Sequence, residues 1–274
     1  MNPADDWRQN HNPDMSWAPR QLPGWLKAIP DWLGRSYAEA RFPLEIAAWE
    51  ASQLHGLGNA SRGLPPGDDR PVLVVPGFGF GDPTTLPLQL ALKAAGYRVV
   101  LSEIPLNIWC SNVTVHNLAK VARKAVAKDN NRRLLVVGHS RGGMIARGLA
   151  ALHPDLVERA IALGSPLDHE FAFYEAPQPF VKALATLHQL HPILRERGCG
   201  TPECVCPYML ATYKPTPEDV DLVSIYTKSD GIVDWRACVV PGATNIEVSG
   251  SHLGMGLKPG TLRVVMEQLA RPSA

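Results

Sequence analysis

A serine, an aspartate and a histidine in this chain stand in contexts suited to nucleophilic chemistry. Ser140 lies in the run GHSRG, a G-x-S-x-G pattern between an apolar β-branched run and an apolar pattern of helical period. The glycines keep Cβ atoms away from a strained strand-to-helix turn, which predicts a serine Oγ exposed above a sheet. Asp230 follows the strand-like run Leu222–Thr227, and His252 lies in SGSHLGMG after the next predicted strand. A glycine-rich turn with an ordinary serine is the alternative.

These three residue types together can activate a hydroxyl group. A serine hydroxyl is a weak nucleophile, so it needs a base to remove its proton and a third group to orient that base. We predict Ser140 as the nucleophile, His252 as the general base and then acid, and Asp230 as the residue that orients the histidine. Asp234 is the rival for the acid, and a solvent-facing loop histidine is the alternative for His252.

The order Ser, Asp, His along the chain resembles the α/β-hydrolase superfamily. The resemblance covers about residues 71 to 270. It implies an α/β-hydrolase fold, with a mainly parallel sheet, helices on both faces and a helical lid insertion. The pattern D-x-x-V, from Asp230 to Val233, resembles the acid turn of that family and favours Asp230 over Asp234. The resemblance therefore supports a Ser-Asp-His catalytic triad.

Attack on a carbonyl creates an oxyanion, which backbone N–H groups can stabilise. One predicted donor is the amide of Arg141, the residue after the nucleophile and the start of a helix. The other is the amide of Phe78, in the loop after the first strand, where the family usually carries His-Gly and this chain has Pro76-Gly77. That departure puts only the support of the loop in doubt. The loop lacks the third glycine of a dinucleotide site, so we expect no cofactor.

Strand and helix patterns alternate from Pro71 onward, which favours a parallel sheet with crossover helices. The predicted strands are 71–76, 97–101, 134–137, 157–163, 222–227 and 244–248, and the predicted helices begin at Thr84 or Thr85 and cover 113–128, 144–152 and 261–270.

The alternation stops between about residues 166 and 221, where aromatic, proline and cysteine residues replace apolar strands. An insertion at this place looks like the lid of the resembled family. Its apolar content favours an apolar acyl or alkyl group in the substrate. The residues expected to bind that substrate are Gly77, Phe80, Phe171, Phe173 and Leu253.

The chain has five cysteines, an odd count unlike a secreted disulfide framework. Cys199, Cys204 and Cys206 cluster in the predicted lid. Unpaired thiols, a lid disulfide, and a zinc site completed by His188 or His191 are the alternatives. The spacing departs from the usual C-x2-C, so we expect no metal.

Two further polar residues adjoin the predicted site without a catalytic assignment. Ser165 follows a strand but lacks the second glycine of the serine turn, so we expect it to shape the turn into the lid or to line the pocket. His139, beside the nucleophile, is expected to pack inward or to hydrogen-bond locally.

An N-terminal arm, residues 1–60, is expected to be partly disordered and then helical, ahead of a domain at 61–274. We expect the arm to pack on that domain. Its tryptophans and basic residues make contact with a membrane surface the alternative. The apolar face predicted for its helix consists of Leu44, Ala47, Ala48, Ala51 and Leu54.

The composition is that of an ordinary globular protein, with 45% hydrophobic residues, 19% charged residues and a net charge of +1. Nothing in it favours nucleic acid, and the start of the chain lacks a secretory pattern, so the expected location is cytoplasmic. We predict a lipase-like or esterase-like serine hydrolase that acts on a small-molecule ester with an apolar part. A thioesterase or acyltransferase of the same fold, or a non-catalytic binder of hydrophobic ligands, is the alternative.

Overall fold

The computed structural model describes residues 39–54, 60–168, 206–212 and 214–272. Within them, six parallel strands form one sheet in the order β2-β1-β3-β4-β5-β6. The strands are β1 (Pro71–Val75), β2 (Arg98–Leu101), β3 (Leu134–His139), β4 (Val157–Leu163), β5 (Asp221–Tyr226) and β6 (Thr244–Glu247). The helices are α1 (Phe42–Leu54), α2 (Leu86–Ala94), α3 (Ser111–Lys128), α4 (Arg141–Leu152), α5 (Pro207–Thr212) and α6 (Pro259–Ala270). Short 3-10 turns cover Asp82–Thr85, Trp235–Cys238 and Leu253–Gly256.

Strand β1 is apolar at every position because both faces of the sheet are covered. Leu73 and Val75 belong to the core cluster that includes residues of α3, α4 and α5. Val72 and Val74 point to the other cluster, which includes residues of α2 and α6. A strand buried on both sides is typical of a parallel sheet with helices on both faces. The predicted mainly parallel sheet with helices on both faces is confirmed.

The carboxyl ends of the strands lie along one edge of the sheet. The registers pair Val75 of β1 with Gly138 of β3, and Tyr226 of β5 with Glu247 of β6. The loops after β1, β3, β5 and β6 therefore leave the sheet on the same side. The strand order reverses between β1 and β3, and such a switch point opens a crevice at the carboxyl edge.

The serine turn is tighter than the sequence pattern predicted. Strand β3 continues through His139 and helix α4 begins at Arg141, so Ser140 alone separates strand from helix. Helix α3 likewise begins at Ser111, two residues before the predicted start.

The predicted insertion at 166–221 is described only at its two ends. The C-terminal end of the insertion includes α5, whose buried Tyr208 packs against Gly148 of α4. The lid residues 169–205 and the first 38 residues of the arm lie outside the described residues.

Helix α1 exists where the sequence predicted it, but the predicted apolar face was wrong. Leu44 is 72% exposed, and Ala47, Ala48 and Ala51 are exposed as well. The side turned toward the domain instead carries Glu45, whose carboxylate accepts hydrogen bonds from Ser251. Phe42, Ile46 and Trp49 are half-buried at the spacing of one helical face, so this helix turns a different face toward the domain than the one predicted. No helix in the described part of the chain is long and apolar enough to span a membrane.

Candidate active site

Ser140 occupies a strained backbone conformation at the carboxyl edge of the sheet. Its φ of 53° and ψ of −125° lie in a region that non-glycine residues rarely adopt, at a cost of about 1–3 kcal/mol. Its amide donates a 2.7 Å hydrogen bond to the Leu163 carbonyl, which ties the turn to the end of β4. The residue is 7% exposed, so the turn is more covered than the sequence predicted.

The two glycines of the serine motif allow backbones to approach closely. A Cβ added to Gly138 would lie 2.2 Å from the Gly142 carbonyl oxygen, across the turn itself. A Cβ added to Gly142 would lie 2.3 Å from the carbonyl oxygen of Val75 and 2.6 Å from that of Pro76. The motif therefore packs helix α4 against the end of β1 as well as forming the turn.

The structure brings the predicted acid and base together. Oδ2 of Asp230 lies 2.7 Å from Nδ1 of His252, and each residue is 3% exposed. Oδ1 of the same carboxylate accepts the amides of Ile232 at 2.9 Å and Val233 at 2.7 Å. The D-x-x-V pattern thus corresponds to a turn that fixes the carboxylate with one oxygen and presents the other to the histidine.

Asp234, the rival acid in the sequence, has a different function in the fold. Its side chain accepts the amide of Arg236 at 3.1 Å and so caps the 3-10 turn that follows. The structure therefore pairs His252 with Asp230.

The acid–histidine pair lies close to the serine turn through the end of β4. A Cβ added to Gly164, the residue after Leu163, would lie 3.2 Å from Nδ1 of His252 and 3.3 Å from Oδ2 of Asp230. Ser140 Oγ makes no hydrogen bond to His252 in this structure. Such bonds are often long before substrate binds.

Burial, Asp230 and Glu39 together set the pKa of His252. Burial by itself would lower the pKa of this histidine, but the charge of Asp230, the hydrogen bond to Asp230 and the charge of Glu39 outweigh burial. The pKa is therefore raised from the ordinary 6.5. The site favours the imidazolium, which a base forms when it takes a proton.

His139 contacts His252 and was not assigned this partner from sequence. Its ring centroid lies 4.9 Å from that of His252, and its Nε2 lies 2.9 Å from the His252 carbonyl oxygen. Burial, and then repulsion from His252, lower the pKa of His139 to about 4, so the ring is neutral at physiological pH. Because Nε2 faces a carbonyl, this nitrogen carries the proton and donates it.

Two backbone amides predicted to bind an oxyanion are available beside Ser140. In the loop after β1, Gly79 N–H donates to Asn107 O and Phe80 N–H donates to Gly77 O. No described residue accepts the amides of Phe78 and Arg141. The loop touches the serine directly, since a Cβ on Gly77 would lie 3.5 Å from Ser140 Cβ.

Asn107, a residue that sequence reasoning missed, supports that loop. Its Nδ2 donates to Pro76 O at 2.8 Å, and its amide donates to Phe80 O at 2.8 Å. Its carbonyl and Oδ1 accept from Nη1 of Arg141 at 3.0 and 3.1 Å. Arg141 also lies over the ring of Phe78. Together Asn107 and Arg141 provide the support left in doubt by the missing His-Gly pair.

Replacing Asn107 by alanine is expected to lower the free energy of unfolding by about 1–3 kcal/mol, because it leaves buried polar partners unpaired. Asn107 is fully buried. Urea unfolding measures the change, and Asn117→Ala, an exposed position on α3, is the matched control that we expect to change stability by less than about 0.5 kcal/mol. Equal stability of the two variants would contradict this account of the loop.

The residues predicted to bind substrate fall in three places. Gly77 is buried against Ser140, Phe80 is 47% exposed, and Leu253 begins the turn after His252. Phe171 and Phe173 lie outside the described residues. Ser165 is fully buried, and its Oγ donates to Leu163 O at 3.2 Å, which fits a role in shaping the turn after β4.

The question of a metal or disulfide in the lid falls mostly outside the described residues, which include only Cys206 of that cluster. Among the described residues there is no group of three side chains able to hold a metal ion.

A strained serine turn between a buried strand and a helix, at the switch point of a parallel sheet, is the arrangement that characterises the α/β-hydrolase fold. Residues 72–187 match the family described as alpha/beta hydrolase fold. The chain has this fold, and its resemblance to the superfamily is confirmed. The matched segment contains Ser140 and ends before Asp230 and His252.

Known proteins similar to this chain share either a segment or the fold. A homoserine O-acetyltransferase from Deinococcus radiodurans is 33% identical over 110 residues, which is 40% of this chain and only 29% of that protein. A lipase from Bacillus licheniformis has a TM-score of 0.53 at 17% identity, covering 76% of this chain and 94% of the lipase. At this identity the likeness shows the fold alone. A thermostable carboxyl esterase from Bacillus coagulans has a TM-score of 0.49 at 15% identity, covering 73% of this chain and 89% of the esterase.

Proposed function

We propose that the protein is a serine hydrolase that cleaves carboxylic esters with an apolar acyl or alkyl group through an acyl-enzyme. The observation that carries the proposal is the 2.7 Å hydrogen bond between Asp230 and His252, formed beside the strained turn of Ser140. An acid that orients a histidine next to such a serine is the arrangement that activates a hydroxyl.

In the first half of the reaction, Ser140 Oγ attacks the ester carbonyl carbon while Nε2 of His252 takes the hydroxyl proton. The carbonyl oxygen becomes an oxyanion, and the amides of Phe78 and Arg141 donate hydrogen bonds to it. The carbon–oxygen bond to the alcohol then breaks, and the alcohol leaves with the proton from His252. The product of this half is an ester of Ser140.

In the second half, water replaces the alcohol and the same groups act again. His252 removes a proton from water, the hydroxide attacks the acyl carbon, and the same two amides bind the second oxyanion. Collapse breaks the bond to Ser140, whose Oγ recovers its proton from His252. Asp230 remains ionised and holds the imidazolium throughout.

Apolar side chains near the oxyanion loop support a substrate with an apolar part. Phe80 of that loop is 47% exposed, and Leu106, which precedes Asn107, is 43% exposed. The Asn107 amide donates to Phe80 O, so the two side chains belong to adjoining segments. Exposed apolar side chains at a site commonly bind apolar ligand groups.

Acyl transfer to an alcohol is the second candidate function. The partial match to a homoserine O-acetyltransferase favours it, although that match spans 29% of the relative. Both reactions share the acyl-enzyme and differ in whether water or another alcohol accepts the acyl group. Product analysis with an added alcohol distinguishes them, because transfer yields a new ester and hydrolysis yields only the acid.

A serine-directed alkyl phosphonate tests the proposal. We expect the wild type to be labelled once per chain and the Ser140→Ala variant to remain unlabelled, since the label attaches to the activated Oγ. Ser165→Ala is the matched control, because Ser165 also follows a sheet strand and is buried. We expect this control to keep the label.

A wild type that resists the phosphonate and turns over no p-nitrophenyl ester of any chain length would rule the proposal out. Equal ligand binding by wild type and Ser140→Ala, with no turnover by either, would point instead to a non-catalytic binder of hydrophobic molecules.

A further inference from the structure

Glu39 lies three residues before α1, yet its carboxylate bonds to the two loops that carry the acid and the histidine. Oε1 accepts the amide of Gly231 at 3.0 Å and the amide of His252 at 2.8 Å. Oε2 accepts the amide of Leu253 at 3.2 Å. One carboxylate therefore spans the residue after Asp230 and the first residues of the histidine turn.

These amides need an acceptor from elsewhere in the chain. His252 stands at the N-terminus of the 3-10 turn Leu253–Gly256, and its own side chain does not cap that turn. Ser251 Oγ accepts the amide of Gly254 at 3.0 Å, which leaves the amides of His252 and Leu253 to an acceptor from another segment. The first N–H groups of a helical turn have no partner within the turn itself. Glu39 provides these N–H groups with a negatively charged acceptor, and such charge-assisted hydrogen bonds are stronger than neutral ones.

With Glu39 in place, three of the four polar groups of His252 are fixed. The backbone N–H bonds to Glu39, the backbone carbonyl accepts from His139, and Nδ1 bonds to Asp230. The remaining group is Nε2, the nitrogen that the proposed reaction requires. Contacts to the N–H, to the carbonyl and to Nδ1 of His252 therefore fix the position of the ring.

A second carboxylate of the same segment holds the preceding residue. Oε1 of Glu45 accepts the amide of Ser251 at 3.0 Å, and Oε2 accepts the Ser251 hydroxyl. A Cβ on Gly254 would lie 2.0 Å from Oε2 of Glu45, so helix α1 packs closely on the turn. Residues 39–45 therefore form a continuous brace along the histidine loop.

We propose that Glu39 is a positioning residue, whose carboxylate joins the acid loop to the histidine loop and so makes the N-terminal segment part of the reaction machinery. The inference rests on the proposed function, because positioning matters only if His252 acts as a base. It predicts that Glu39 affects turnover without contacting substrate.

The charge of Glu39 gives this role a signature in pH. The groups facing His252 are Asp230 and Glu39, which are anionic, and His139, whose pKa of about 4 leaves it neutral. The Glu39 charge acts to raise the pKa of His252. Since only neutral His252 can take a proton, activity falls as pH drops below that pKa. Removing the Glu39 charge lowers the pKa, so the acid limb of the pH profile moves to lower pH.

The experiment compares the pH profiles of ester hydrolysis for wild type, Glu39→Gln and Glu50→Gln. For Glu39→Gln we expect a plateau kcat about ten- to a hundredfold lower, a nearly unchanged KM, and an acid limb displaced to lower pH, because the loops lose their common anchor and its charge. Glu50 is exposed on α1, so the same substitution there is the matched control that we expect to behave as wild type.

An NMR titration of the His252 imidazole in the same variants reads the effect of Glu39 without turnover. If the wild type takes no phosphonate label, the proposed function fails and the positioning role fails with it, while a lowered His252 pKa in Glu39→Gln still shows that the Glu39 charge acts on His252. If the wild type is labelled but Glu39→Gln matches it in plateau kcat, acid limb and imidazole titration, the positioning role is overturned.

Glu39→Asp provides a second variant should the glutamine variant not fold. It keeps the charge and shortens the reach by one methylene, so we expect a lower plateau kcat. A plateau equal to that of wild type would also overturn the positioning role.

Discussion

Replacing Asp230 by asparagine is expected to lower kcat about 10⁴-fold while the fold is retained. The Asp230 carboxylate holds its own turn with Oδ1 and accepts from His252 with Oδ2. An asparagine can keep the first contact, which leaves its NH2 group facing Nδ1 of the histidine. A donor at that place selects the tautomer with the proton on Nε2, and this tautomer cannot accept the proton of Ser140.

The measurement is kcat with a short-chain p-nitrophenyl ester, together with the rate of phosphonate labelling. Asp234→Asn is the matched control, because Asp234 lies four residues on and caps the next 3-10 turn. We expect the control to stay close to the wild-type kcat. Comparable losses in the two variants, or less than a tenfold loss in Asp230→Asn, would remove Asp230 from the proposed triad.

Replacing Gly142 by alanine is expected to lower the free energy of unfolding by about 3 kcal/mol. The added Cβ would lie 2.3 Å from Val75 O and 2.6 Å from Pro76 O. Both are backbone atoms, the first in a central strand and the second in the loop after β1, so neither can rotate away as a side chain could. Helix α4 must then move away from β1, which also displaces the Arg141 amide.

Urea unfolding measures this change, and Gly260→Ala in α6 is the matched control. A Cβ on Gly260 meets nothing within 4 Å. We expect the control to be as stable as wild type or more stable by up to about 1 kcal/mol, because alanine is the better helix former. A Gly142→Ala protein as stable as wild type would show that the serine turn can relax, contrary to its close packing.

The strands and helices could be predicted from the sequence because their apolar patterns depend on neighbouring residues. The apolar run of β1 and the helical spacing of α3 depend on neighbouring residues, and the structure has both elements within two residues of the predicted bounds. The spacing of Gly138 and Gly142 likewise records a steric requirement within one turn. The inward face of helix α1 was predicted wrongly, because the loop around Ser251 that this helix contacts is distant in sequence.

The sequence by itself determined the strained turn of Ser140, the alternation that builds the sheet, and the order in which Asp230 and His252 follow. Each depends on periodicity or on spacing over a few residues. Only the tertiary structure decided what holds His252, since Glu39 stands 213 positions before it and His139 stands 113 positions before it. The sequence alone does not distinguish a glutamate that faces water from one that accepts a hydrogen bond from a buried amide. Its role depends on which N–H groups the folded chain leaves without an acceptor.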